Sequence, residues 1–123
     1  MNERLYAVRG ATSVERNSSE AILDRTEELM RELIARNELR IDQFVSCIFT
    51  VTSDLDAEFP AVAARRIGFE GVPLLCAREI DVPGALDHVI RVLAHYHAGP
   101  DHVVHHVYLG EARKLRADLD AAQ

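Results

Sequence analysis

Val89-Ile90-Arg91-Val92-Leu93-Ala94-His95-Tyr96 decides the fold, because the run reads either as more helix or as a strand. Val, Ile, Val and Tyr crowd a helix and suit a pleated surface, so the strand is preferred. The run also embeds a cation in what would otherwise be pure core, and a buried arginine has a partner or a task. Three more arginines stand in pointed contexts: Arg9 at the end of a short apolar strand, Arg65 closing an Ala-rich helical turn, and Arg116 directly after Leu115. Together they describe an anion site.

Working outward, Leu5–Val8 reads as a first strand stopped by Gly10. Asn17-Ser18-Ser19-Glu20 resembles a capping box with Asn as the cap, and Ile22, Leu23, Leu29, Met30, Leu33 and Ile34 then repeat at helical spacing to about Asn37. The wet face of that helix spaces Glu32 and Arg36 for pairing. Phe44–Thr52, rich in β-branched and aromatic residues, is a second strand, followed by a turn at Ser53–Asp56. Pro60 opens a short helix over Ala61–Ile67, with Gly68 just past its end. Val72–Ile80 reads as a third strand broken by Pro83-Gly84, Ala85–His88 as one helical turn, and Val103–Leu109 as a last strand after the loop at Gly99. The expected fold is α+β: one domain, residues 1–119, with a mixed β-sheet and two to three helices, and a mobile tail over 120–123. So few helices leave one face of the sheet needing cover.

With 14 Lys+Arg against 20 Asp+Glu, the net charge of -6 argues against nucleic acid as the partner. Lys114 is the single lysine, and an arginine bias fits a small anionic ligand as well as it fits a GC-rich genome. No apolar run approaches the roughly 20 residues of a membrane span and no signal-peptide core opens the chain, so a cytoplasmic protein with no membrane partner is expected. Cys47 and Cys76 lie in separate strand-like segments, which offers neither a redox pair nor a structural zinc site.

Arg9-Gly10-Ala11-Thr12 with Val14-Glu15, Thr52–Leu55 with Phe59-Pro60-Ala61, Cys76-Ala77-Arg78-Glu79, Ile90-Arg91-Val92, His106-Val107-Tyr108-Leu109 and Leu115-Arg116 ahead of Asp118-Leu119 follow one another in a set order. No fragment is diagnostic alone, but the ordered set resembles the trimeric, monofunctional chorismate mutases of the Bacillus type over residues 5–119. The resemblance implies an isomerase converting chorismate to prephenate on the way to phenylalanine and tyrosine, without cofactor, metal or covalent intermediate. It also implies a homotrimer whose sheets form a pseudo-α/β-barrel, with sites between subunits: one chain supplies the Glu79, Arg91 and Tyr108 side and its neighbour the Phe59 and Arg65 side.

Carried over by that resemblance, Arg91 is the donor to the ether oxygen and to a carboxylate, and Glu79 accepts from the ring hydroxyl where positive charge accumulates. Arg9 and Tyr108 hold a substrate carboxylate, and Cys76 flanks the hydroxyl. Phe59, Leu75 and Leu115 line the pocket, while Arg65 and Arg116 add positive potential at its mouth. Ala117 and Val62 stand where relatives often carry proline and lysine.

Without the resemblance, each residue has a plainer fate. Arg91 would pair with an internal carboxylate such as Glu79 or Asp81, Glu79 would be a solvated strand carboxylate, and Cys76 a small buried hydrophobe. His95 and His97 share a strand face with His102, His105 and His106 close behind, which invites a metal. The second shell that a metal needs is missing from the neighbourhood, so solvated loop histidines are expected. Two rival functions are a trimeric sensor of chorismate, prephenate or aromatic amino acids, and a small-metabolite enzyme such as an enamine or imine deaminase. The first has no use for a cation at an ether oxygen, and the second does not match the ordered motifs.

Overall fold

The computed structural model describes residues 2–115, so Arg116 and the expected tail lie outside the described residues. Its strands are β1 (Arg4–Ser13), β2 (Phe44–Val51), β3 (Leu74–Arg78), β4 (Val89–Ala98) and β5 (Val107–Tyr108), and its helices α1 (Ser19–Arg36) and α2 (Ala61–Arg66). Three short 3-10 turns, at Ile41–Gln43, Phe69–Gly71 and Gly110–Ala112, complete the described elements. The run around Arg91 is therefore a strand, and it sits at the centre of the sheet.

The five strands lie in the order β3-β2-β4-β1-β5. β4 is antiparallel to both β1 and β2, while β3 and β5 join the outer sides in parallel. This is the mixed α+β sheet that the residues predict.

The helices cover one face. Side chains alternate along a strand, so Ile90, Val92, Ala94, Tyr96 and Ala98 of β4 are buried, whereas Arg91, Leu93, His95 and His97 look the other way and keep partial or full exposure. Leu29, Met30 and Leu33 of α1 are buried completely and share their core with Val8, Phe49, Phe69 and Val92, while Ile22, equally buried, packs in a second cluster with Val14, Leu55 and Ile90. Burying a side chain of this kind stabilises by about 1.5–3 kcal/mol, which is why the amphipathic stripe of α1 fixes which face is inside. The opposite face has no helix on it among the described residues. It leaves Leu5 and Leu75 exposed.

Several boundaries differ from expectation for identifiable reasons. Gly10 does not stop β1, which runs through it to Ser13. A Cβ there would come within 3.1 Å of both Leu29 and Val92, so the glycine lets α1 lie close to the sheet. The helix cap is Ser18, whose hydroxyl accepts from the Ala21 N–H at 3.1 Å, and not Asn17. Asn17 instead grips the turn after β2, giving Nδ2–H to Asp56 Oδ1 at 2.7 Å and accepting from the Asp56 and Ala57 N–H groups.

The third strand is shorter than Val72–Ile80 because a 3-10 turn occupies Phe69–Gly71 and β3 starts at Leu74. Ala85–His88 makes no helical turn. Asp54 accepts the His88 N–H on both carboxylate oxygens, at 3.2 and 3.1 Å, and holds His88 at a positive φ of 53° that a helix cannot use. Arg91 itself is not buried in this chain, since period two carries it to the uncovered face.

The expected strand Val103–Leu109 shrinks to Val107–Tyr108 because side chains take over its pairing. Buried Asn37 donates to the carbonyls of Leu33 and His105, both at 2.9 Å, and accepts the His105 N–H at 2.8 Å. His102 is not a solvated loop histidine either; its Nε2 meets the buried Tyr96 hydroxyl at 2.6 Å. Substituting Asn37→Ala strands the His105 groups and should cost about 1–3 kcal/mol. A urea midpoint unchanged at fixed protein concentration would show that Asn37 does not anchor this segment.

Candidate active site

A single row of residues crosses the uncovered face. Thr50 on β2 lies opposite Arg91 on β4, Arg91 lies opposite Ala11 on β1, and Ala11 pairs with Tyr108 on β5. Arg9 stands two residues before Ala11 on the same face, opposite Leu93. Between the long side chains the row holds only a methyl group. The gap above Ala11 is a cavity of about 330 Å³, walled by Arg9, Ile48, Thr50, Arg91, Leu93, Tyr108 and Leu115.

Two guanidinium groups therefore face one cavity from neighbouring strands. Arg9 gives an Nη2–H to the Tyr108 hydroxyl at 3.2 Å, so these two side chains form one edge. The Arg9 backbone is held as well, its N–H reaching Nδ1 of His106 at 3.0 Å. That ring replaces the next rung of the β1–β5 ladder, and a nitrogen that accepts there places the ring proton on Nε2.

On the other side of the cavity, Arg91 Nε lies 3.4 Å from Oε2 of Glu79, which lines a smaller adjoining pocket and not the cavity itself. The pair is lopsided: the Arg91 side chain is 47 % exposed and that of Glu79 22 %. Glu79 follows β3 and continues its pairing, its N–H on the Val51 carbonyl at 2.8 Å. Its carboxylate also accepts a hydrogen bond from the Thr50 hydroxyl. Both the cavity and the internal acid pairing expected of Arg91 are thus present at once.

The other candidates fall into two groups. Leu115 lines the cavity. Leu75 pairs with Ile48 on the same face but lies beyond the cavity wall. Cys76, one residue on, turns inward and packs on the core cluster, away from the arginines. Phe59, 65 % exposed, and Arg65 belong to the α2 segment, which packs on α1 and β3, and neither lines this cavity. Arg116 lies outside the described residues.

Thr50, Ala11 and His106 are the site residues that the residue pattern alone did not single out. The histidines as a group do not gather around one point. Among the described residues, the set whose ligand atoms come within 4.8 Å of one another is Asp54, Asp87 and His88. Asp54 is already engaged there: although burial works the other way, the Thr52 hydroxyl and the His88 N–H hold its carboxyl below the usual range.

A model of the family described as chorismate mutase type I matches residues 5–119. The chain belongs to this family. It is 49% identical over 118 residues to "Chorismate mutase AroH" of Thermus thermophilus, covering 94% of this chain and 97% of that one. To "Chorismate mutase AroH" of Bacillus subtilis strain 168 it is 40% identical over 117 residues, covering 94% and 92%. A solved structure, "Chorismate mutase from Clostridium thermocellum Cth-682", superposes with a TM-score of 0.84 at 45% identity, covering 89% of this chain and 98% of that one. Among the described residues of this chorismate mutase, no helix is long and apolar enough to cross a membrane.

The thiols give a check on this placement. Burial pushes Cys47 up to about 12, so at pH 8 it stays protonated and shielded in the folded protein, whereas Cys76 is only partly buried. Iodoacetamide should reach Cys47 only on unfolding. Labelling of Cys47 ahead of Cys76 in the native state would contradict the inward packing of β2.

Proposed function

We propose that this chorismate mutase converts chorismate to prephenate in the cavity above Ala11, by electrostatic preorganisation and without a nucleophile. The single observation that carries the reading is the pair of guanidinium groups, Arg9 and Arg91, converging on one cavity from adjacent strands. The substrate carries carboxylates, and planar guanidinium forks suit them.

In the rearrangement, carbon–oxygen cleavage runs ahead of carbon–carbon formation. Negative charge grows on the ether oxygen and positive charge on the ring. Arg91 donates to that oxygen, so its attraction is stronger in the transition state than in the ground state, which is the condition for raising turnover. Glu79 faces the ring and accepts from its hydroxyl. Arg9 and Tyr108, already linked at 3.2 Å, clamp a carboxylate and hold the compact conformer.

Phe59 and Arg65 lie off the cavity in a single chain, and among the described residues no helix covers the face that carries it. A homotrimer would account for both observations: a neighbour's α2 segment would bring Phe59 and Arg65 over the site while the sheets bury their open faces. Arg116 would then act at the mouth, Cys76 from behind β3, and Leu75 along the apolar wall. Residues 1–119 would act as the one domain, and the reaction would run in the cytoplasm.

Purified protein incubated with chorismate should erase the ultraviolet absorbance of the substrate without added metal or cofactor, and a rate at the uncatalysed background would reject the reading. Replacing Arg91 by Gln should lower kcat by about 100- to 1,000-fold or more, the range for losing one preorganised oxyanion donor. A loss confined to KM would leave Arg91 a binding role only.

The shared site has its own test. Arg65→Ala and Arg91→Ala chains, each impaired alone, should regain part of the activity when co-refolded, because mixed trimers contain some sites with both arginines intact. Mixtures no more active than their parents would place each site within one chain.

A further inference from the structure

We infer that Thr50 is a positioning residue that keeps Glu79 from closing fully onto Arg91 and so leaves the Arg91 guanidinium free for the substrate. The inference rests on the proposed reading of the cavity and deepens it.

An arginine and a glutamate that reach each other across an intervening strand, as Arg91 of β4 and Glu79 after β3 do over β2, can close into a fork with two hydrogen bonds of about 2.7–2.9 Å. Such a fork would spend the catalytic cation on the protein's own acid. The observed pair is more open, with Nε 3.4 Å from Oε2. The ion pairs of this chain span a range: Arg36 meets Glu32 at 2.8 Å and Arg25 meets Glu28 at 2.7 Å, while Arg16 and Glu20 stay 3.5 Å apart.

At Glu79 a second donor shares the acceptor. The Thr50 hydroxyl bonds the same Oε2 that Arg91 approaches. Thr50 is well fixed for this, because it lies directly opposite Arg91 in the β2–β4 register and its β-branched side chain has restricted rotamers. It also forms part of the cavity wall, between Arg91 and the segment that carries Glu79. With Oε2 shared between Thr50 and Arg91, Oε1 is the oxygen available to a substrate hydroxyl.

The test is a double-mutant cycle on the intact protein with chorismate as substrate. Thr50→Val removes the hydroxyl at nearly constant volume, and kcat/KM should fall about 10- to 100-fold, the scale of a hydrogen bond to a charged group. Thr50→Ser restores the donor and should recover most of that loss. In a Glu79→Gln background Thr50→Val should have little further effect, because the group that Thr50 restrains has lost its charge.

Additive losses, or a Thr50→Ser variant as poor as Thr50→Val, would make Thr50 a packing residue and overturn the inference. So would a Thr50→Val enzyme equal to wild type. Melting temperatures of all five proteins separate misfolding from mispositioning: a fall in Tm that tracks the fall in kcat/KM, and that Ser does not rescue, counts as packing. Wild-type protein without turnover would overturn the underlying reading and this inference with it, whereas an active wild type with an indifferent Thr50 overturns the inference alone.

Discussion

The period-two alternation of β4 is the constraint on which the site depends. β4 is hydrogen-bonded on both sides along most of its length, to β1 and to β2, so it can neither slip nor rotate without breaking two ladders. Its inward side chains, Ile90 to Ala98, are buried against the helical layer. A shift by one residue would drive Arg91 and His95 into that layer and expel Val92 and Tyr96, which burial energies forbid. The packing of α1 thereby aims a guanidinium at the opposite face. The cation is held by the core without being part of it, and its position follows from apolar contacts that carry no charge.

The same logic explains why the cavity lies where it does. Two small residues of β1 serve opposite faces: Gly10 lets α1 approach on one side, and Ala11 leaves space on the other. Larger residues at either place would change a different layer, the first by overpacking the core and the second by filling the gap between Arg91 and Tyr108. β5 contributes little sheet, only Val107 and Tyr108, yet it places the Tyr108 phenol on Arg9 while His106 secures the Arg9 backbone. A short edge strand is sufficient because Asn37 anchors the segment before it from the end of α1.

How much of this was legible in the sequence varied with the range of the cause. Propensity and period identified the central strand and the stripe of α1, because β-branched crowding and a 3.6-residue repeat are local. The ordered motifs brought out Arg9, Arg91, Glu79 and Tyr108. Local reading failed where a distant partner decides. Gly10 looked like a stop because Leu29 and Val92, which require it, lie far along the chain. Ala85–His88 looked helical until Asp54 is seen to capture the His88 N–H. Asn17 and Ser18 are both good caps, and only the turn at Asp56 settles which of them is free to cap. Thr50 was not visible as a site residue because nothing in its own neighbourhood tells that it will face Arg91; strand register is a property of the pair.

The electrostatics carry a further consequence for assembly. With Arg91 47 % exposed, its attraction to Glu79 or to a substrate oxygen acts largely through water in the single chain. Two unit charges 4 Å apart gain about 1 kcal/mol in bulk water and about 4 kcal/mol at the effective dielectric of a partly shielded protein site. An oxyanion donor therefore works well only once water is excluded from the far side of the cavity. The exposed Leu5 and Leu75 extend apolar surface beyond that opening. A cover laid over this face would remove apolar area from water and raise the strength of the arginine field in the same step. Stability and catalysis would then ask for the same contact, which gives a physical reason for a site of this kind to lie on the open side of a two-layer fold.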